Sequence, residues 1–131
     1  MVVSGHAAPW EGDEGRLQQR LGVENACGLA RNFVAQGIET VMADVITPET
    51  MSLYRRWLPN AVVIRLQVTM DEARRRAMSR TQYLTDEEFE RLHLEDARHP
   101  PPADHHVDVT GHDIDDQVAA IAALWSQVSS R

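Results

Sequence analysis

The sequence predicts an α/β layered fold with a short parallel sheet. Three observations carry this reading. Two apolar runs, Val41–Ile46 and Ala61–Val68, flank a stretch with helical spacing, which makes a strand–helix–strand unit and hence a parallel pair. A third short run, His106–Thr110, follows two further helical stretches. The order is helix, strand, helix, strand, two helices, strand, helix, with no internal repeat and no low-complexity linker.

Each element has a local reason. Residues 1–13 are irregular, with Gly5, Pro9 and Gly12. From about Glu14 to Gln36 the chain reads as helix, with Ala26, Leu29, Ala30, Phe33 and Val34 on one face. Leu17 and Leu21 extend a weaker stripe, and Gly37 is a C-cap that takes the left-handed conformation without a Cβ penalty. Val41–Ile46 is short, mostly apolar and not alternating, as in a strand buried on both faces. Thr47-Pro48-Glu49 opens the next helix, since threonine caps free N–H groups and proline fits the first turn. Leu53, Tyr54, Trp57 and Leu58 form its inner face, and Pro59-Asn60 ends it. Ala61–Val68 is the second strand. Thr69 with Glu72, and Thr85 with Glu88, have capping-box spacing and start two helices. The second of these stops before Pro100-Pro101-Pro102. After the third strand and Gly111, the last helix begins near Asp113 and turns Val118, Ile121, Ala122 and Trp125 inward.

With 131 residues, the chain is the size of one domain with a modest core. A net charge of −7 argues against nucleic acid or an acidic membrane as a partner held by bulk attraction. Cys27 is the single cysteine, which excludes an internal disulfide and suits a reducing, cytoplasmic compartment. No apolar run reaches the length of a spanning helix. All thirteen basic residues other than histidine are arginine. The chain therefore holds no Gly-Lys-Ser or Gly-Lys-Thr phosphate loop. Codon bias alone would also replace every lysine.

Four places could carry chemistry. Asp44 stands near the C-terminal end of an expected strand, where open α/β sheets bind ligands. A carboxylate there can hold Mg²⁺ or orient a hydroxyl, or simply bind nearby backbone. Arg74, Arg75, Arg76 and Arg80 crowd one expected helix, and Arg76 and Arg80 are four apart. Guanidinium forks bind phosphate oxygens in pairs, although Asp71 and Glu72 can partner the same arginines on a solvated face. His99, His105, His106 and His112 lie near Asp104, Asp108 and Asp113, without the spacing of a zinc motif. In the leading segment, Asp13 and Glu14 stand where a phosphate loop would need a lysine and a hydroxyl. That segment can contact a substrate instead, or Trp10 can serve packing alone.

Taken together, Ala8-Pro9-Trp10-Glu11, Asn25-Ala26, Leu29–Phe33 and Val41–Val45 resemble small bacterial P-loop kinases. The group in question is the chloramphenicol phosphotransferase-like and zeta-toxin-like kinases. The resemblance continues through Val62–Leu66, Glu72–Arg80 and Asp108–Gly111, nearly the whole chain. It implies one domain over residues 1–131, a three-layer parallel sheet with helices on both faces, and a lid-like helical region at 70–98. It also implies that the first strand and phosphate loop are missing, so the fold is N-terminally truncated. ATP and Mg²⁺ are the implied cofactors. Asp44 would lie at the metal and the reacting phosphates. Arg76 and Arg80 would reach the nucleotide or the transferred group, and Thr110 and Gly111 would border the adenine. Trp10, Glu11 and Arg16 would face a small-molecule substrate. The implied activity is ATP-dependent phosphorylation of a small molecule, feeble or absent without the phosphate loop. The alternative is a non-catalytic nucleotide-binding, phospholigand-binding or interaction protein of the same descent. Loss of a central strand would expose a sheet edge for a homodimer to cover.

Overall fold

A computed structural model describes residues 5–81 and 84–129. Met1–Ser4 at the irregular start, residues 82–83 of the expected 70–98 lid, and the last two residues lie outside the described residues. The chain divides into two compact units, Met1–Ala61 and Val62–Arg131.

The first unit is built on two helices, α1 (Gly12–Ala35) and α2 (Pro48–Trp57). Val23, Cys27 and Ala30 recur at helical spacing on α1 and are buried. Met51 and Tyr54 of α2 are buried too. Val23, Cys27 and Tyr54 form the core cluster, with Ile46, Leu53 and Leu58 packed around it. Gly37 adopts a φ of 76° just past α1, as its capping role requires. Thr47 caps α2 by accepting from the Thr50 N–H, while Thr50 Oγ1 accepts from the Thr47 N–H at 2.9 Å. This reciprocal pair explains how Thr50 is buried at no polar cost. Ahead of α1, Gln18 pins residues 5–8: its amide donates to the Gly5 carbonyl and accepts from the Ala7 N–H, both at 2.8 Å.

The second unit holds β1 (Ile64–Gln67), α3 (Met70–Met78), α4 (Asp86–Arg98), β2 (His105–Asp108) and α5 (Ile114–Ser129). The strands pair in parallel, Ile64 opposite His105 and Gln67 opposite Asp108. Such a pair needs a long crossover, which α3 and α4 supply. Thr85 and Glu88 form a full capping box. Thr69 caps α3 through the Glu72 N–H, but the return half of the box is absent. The Thr69 N–H instead donates to Thr110 Oγ1 at 3.1 Å, tying the start of α3 to the end of β2. Ala73, Ala77 and Val109 are buried, whereas neither α4 nor α5 buries a side chain fully.

These elements correct the expected fold class. The described residues form five helices and one two-stranded parallel sheet, not a three-layer sheet with helices on both faces. The run Val41–Ile46 is not a strand. A strand needs a hydrogen-bonded neighbour as well as β-branched residues, and no described strand pairs with this one. Val41 and Val45 are 79% and 77% exposed, the reverse of a strand buried on both faces. The parallel pair forms between 64–67 and 105–108, so the expected strand–helix–strand unit around α2 does not form. The inner face expected of α5 is also open: Val118 is 59% exposed and Trp125 36%. No described helix is long and apolar enough to cross a membrane.

Candidate functional site

The first unit contains a hollow of about 440 Å³. Gln19, Gly22, Val23 and Ala26 of α1 line one side, Met42, Ala43 and Asp44 another, and Tyr54 of α2 a third. Helical spacing explains the α1 contribution, since residues 19, 22, 23 and 26 share a face. Gly22 leaves open space where a side chain would stand.

Asp44 is fixed by two hydrogen bonds. Its Oδ2 accepts from the Tyr54 hydroxyl at 2.7 Å and its Oδ1 from the Val45 N–H at 2.8 Å. Burial pushes the Tyr54 phenol well above its ordinary range, and the hydrogen bond to Asp44 pushes the same way. Tyr54 is thus a neutral donor committed to Asp44. The sequence had marked Asp44 as a strand-end carboxylate; it is exposed and lies on an irregular segment, oriented by a helix. Sequence spacing assigns Tyr54 only to the inner face of its helix. The signal for more was present, because a tyrosine on a buried face must find a partner for its hydroxyl.

The arginines serve the second unit's own architecture. Arg76 Nε donates to Glu72 Oε1 at 2.7 Å, and its Nη2 donates to the carbonyl oxygens of Val109 at 2.7 Å and His112 at 3.2 Å. Arg75 grips both Glu72 oxygens, at 2.6 and 2.7 Å. Hydrogen bonds from Arg75 and then Arg76 hold the Glu72 carboxyl at about 2, below its ordinary 4.5. Arg74 faces Glu90 at 3.7 Å. Arg80 is exposed and lies past the end of α3, so it does not share a helix face with Arg76.

The other expected positions are likewise engaged locally. Thr110 Oγ1 accepts from Thr69, and the Thr110 N–H donates to Asp108 Oδ1 at 2.9 Å. That bond draws the Asp108 carboxyl below its ordinary range. Gly111 takes a φ of 76° in the turn that follows. Glu11 accepts from the Ala8 N–H at 2.5 Å, Arg16 pairs with Asp13, and Trp10 is exposed. Among the acids near the histidines, Asp104 accepts from the Val63 N–H and Asp113 from the Asp116 N–H. No group of three or more His, Cys, Asp or Glu among the described residues stands close enough to hold a metal ion.

These contacts test the fit of ATP and Mg²⁺. The Arg76 fork that would meet phosphate is spent on one carboxylate and two carbonyls, and the Thr110 hydroxyl is engaged by the Thr69 N–H and the Asp108 carboxylate. Asp44 is the single carboxylate lining its hollow. Among the described residues, the expected positions are not brought together into a nucleotide grip. A second surface hollow, along α4, is lined by Glu87, Glu90, Arg91, Leu94, Glu95 and Arg98. All six belong to one helix, so it has no opposing wall. No family model, curated protein or solved structure matches the chain.

Proposed function

We propose that this chain is a non-catalytic small-molecule-binding protein of small-molecule-kinase descent. Its ligand rests in the hollow at Asp44. The observation that carries this reading is the Tyr54–Asp44 hydrogen bond at the wall of that hollow. It orients a carboxylate beside apolar surface, the combination small-molecule sites use to fix a ligand's polar group. Kinase descent rests on the sequence resemblance. A reading without phosphoryl transfer is supported by the Arg76 fork committed to structural bonds and by the lack of lysine. Phosphoryl transfer depends on positioned cations at the phosphates, and none of the described arginines lines the hollow.

Two measurements test the reading together. A library of small hydroxylated and aminated molecules is screened by amide chemical shifts, and purified protein is assayed with Mg-ATP. Ligand-induced shifts confined to residues around Asp44 and Tyr54, with no phosphotransfer above background, support it. Hits that map elsewhere, or turnover well above background, reject it.

A second reading, pairing of the chain with itself, draws on a separate observation. Large apolar side chains lie exposed in each unit, among them Val41 and Val45 in the first and Ile114 and Val118 in the second. The outer edges of the β1–β2 pair also carry no described strand. Light scattering across a concentration series tests this: a dimer is expected, and a monomer throughout removes it.

A further inference from the structure

The same hollow has a chemical bias that narrows its ligand, an inference that rests on the small-molecule reading above. Asp44 brings a negative charge, and no arginine or histidine stands among the residues lining the hollow. Two of its carboxylate lone-pair positions are taken, one by the Tyr54 hydroxyl and one by the Val45 N–H. A carboxylate accepts about four hydrogen bonds in all, so capacity remains. Tyr54 has only one donor, and it is already committed to Asp44. What the phenol still offers is its oxygen lone pair. Asp44 and Tyr54 therefore present acceptors and no free donor, with Gln19 the one lining side chain able to serve both ways. Val23, Ala26 and Met42 supply apolar wall. The chain's net charge of −7 raises the local concentration of cations at its surface.

We infer that the hollow at Asp44 takes a small organic ammonium, a primary amine in its charged form on a short apolar body. The ammonium carries three donors and a full charge, which match the acceptors of Asp44 and Tyr54. A hydroxyl offers one donor and no charge, and a carboxylate or phosphate meets like charge. Because Asp44 is exposed, the gain is that of a solvated ion pair, about two- to fivefold in affinity over the matched alcohol.

The test uses three probes with one hydrocarbon body: n-hexylammonium, 1-hexanol and hexanoate. Each is titrated into the full chain at low and high salt, with amide chemical shifts as the readout. The expected order is ammonium, then alcohol, then carboxylate, with shifts at Val45 and Tyr54. The ammonium preference should shrink at high salt, as a screened charge requires. Asp44→Asn should abolish the preference, since its side-chain carbonyl can still accept from Tyr54 but the charge is gone. Tyr54→Phe keeps the charge and should keep the preference, so the test stands even if one variant does not fold. Equal binding of alcohol and ammonium at the hollow overturns the ammonium assignment and leaves the small-molecule reading intact. No response at the hollow to any probe, alongside a library screen without hits there, removes both.

Discussion

The guanidinium of Arg76 donates to the carbonyl oxygen of Val109 at 2.7 Å, fastening α3 to the turn after β2 across 33 positions of chain. The same nitrogen reaches the His112 carbonyl, and Nε holds Glu72. Truncation therefore removes charged hydrogen bonds from both carbonyls and leaves each with a single neutral donor, the His112 N–H for Val109 and the Gln117 amide for His112. Arg76→Ala should destabilise the second unit by about 1.5–3 kcal/mol. Arg80, exposed past the helix end, should tolerate the same change within about 0.5 kcal/mol. Urea unfolding of both variants decides the matter. Equal, negligible effects would mean that Arg76 is held in reserve for a ligand rather than for the fold.

Glu72 makes the acid side of the stability profile specific. Its carboxyl sits at about 2 in the folded chain, against an ordinary 4.5, because Arg75 and Arg76 hydrogen-bond the charged form. A lowered folded value means stability that is fully present above pH 4.5 and lost as pH falls through about 2. Glu72→Gln should flatten the stability profile inside that window and leave its shape unchanged above it. Denaturant midpoints measured across the acid range for both proteins provide the check. A parallel profile in the variant would remove Glu72 from the acid response.

How far the sequence reveals this structure depends on how local each cause is. Thr47, Thr69 and Thr85 do cap their helices, because a cap is decided within four residues. The α1 helix and its Gly37 stop were legible for the same reason. The runs around 64–67 and 105–108 were legible as strands, although each is shorter than its apolar run. Val41–Ile46 was not, because pairing is decided by a distant neighbour that the run itself does not encode. Asp44 stood out as a carboxylate inside an apolar run, yet its orienting partner comes from ten residues on and from another element. Arg76 was legible only in part: Glu72 stands four residues before it, but its other partners are backbone carbonyls, and every residue has one of those.

Glycines of α1 separate close approach from idle flexibility. A Cβ at Gly15 would stand 1.9 Å from the Ala8 carbonyl oxygen, so the leading segment could not keep its place. Gly28, on the same helix, has open space around it. Gly15→Ala should destabilise by about 1–3 kcal/mol, the usual cost of overpacking. Gly28→Ala should stabilise by about 0.4–1 kcal/mol, because it removes chain entropy from the unfolded state and suits a helix interior. Thermal melts of the two variants give opposite shifts if the docking of residues 5–8 on α1 is right. A stabilising Gly15→Ala would show that the close approach does not persist in solution.

Tyr54 supplies the alkaline counterpart, and it can be seen directly. The chain has two tyrosines, Tyr54 and Tyr83, so phenolate absorbance resolves few steps. Burial foremost, and then the bond to Asp44, raise the Tyr54 value far above its ordinary 10.0. Because the folded value is the higher one, its stability contribution is complete below pH 10.0 and fades as pH climbs toward the folded value. Ionisation of Tyr54 should therefore be seen only when the first unit unfolds in alkali, as a late, cooperative rise in phenolate absorbance. Tyr54→Phe should delete that late rise. Asp44→Asn should bring it to lower pH while leaving it above the ordinary value, since the negative partner goes but the burial stays. A Tyr54 that titrates near pH 10 in the wild-type chain would mean that its hydroxyl faces water and does not anchor Asp44.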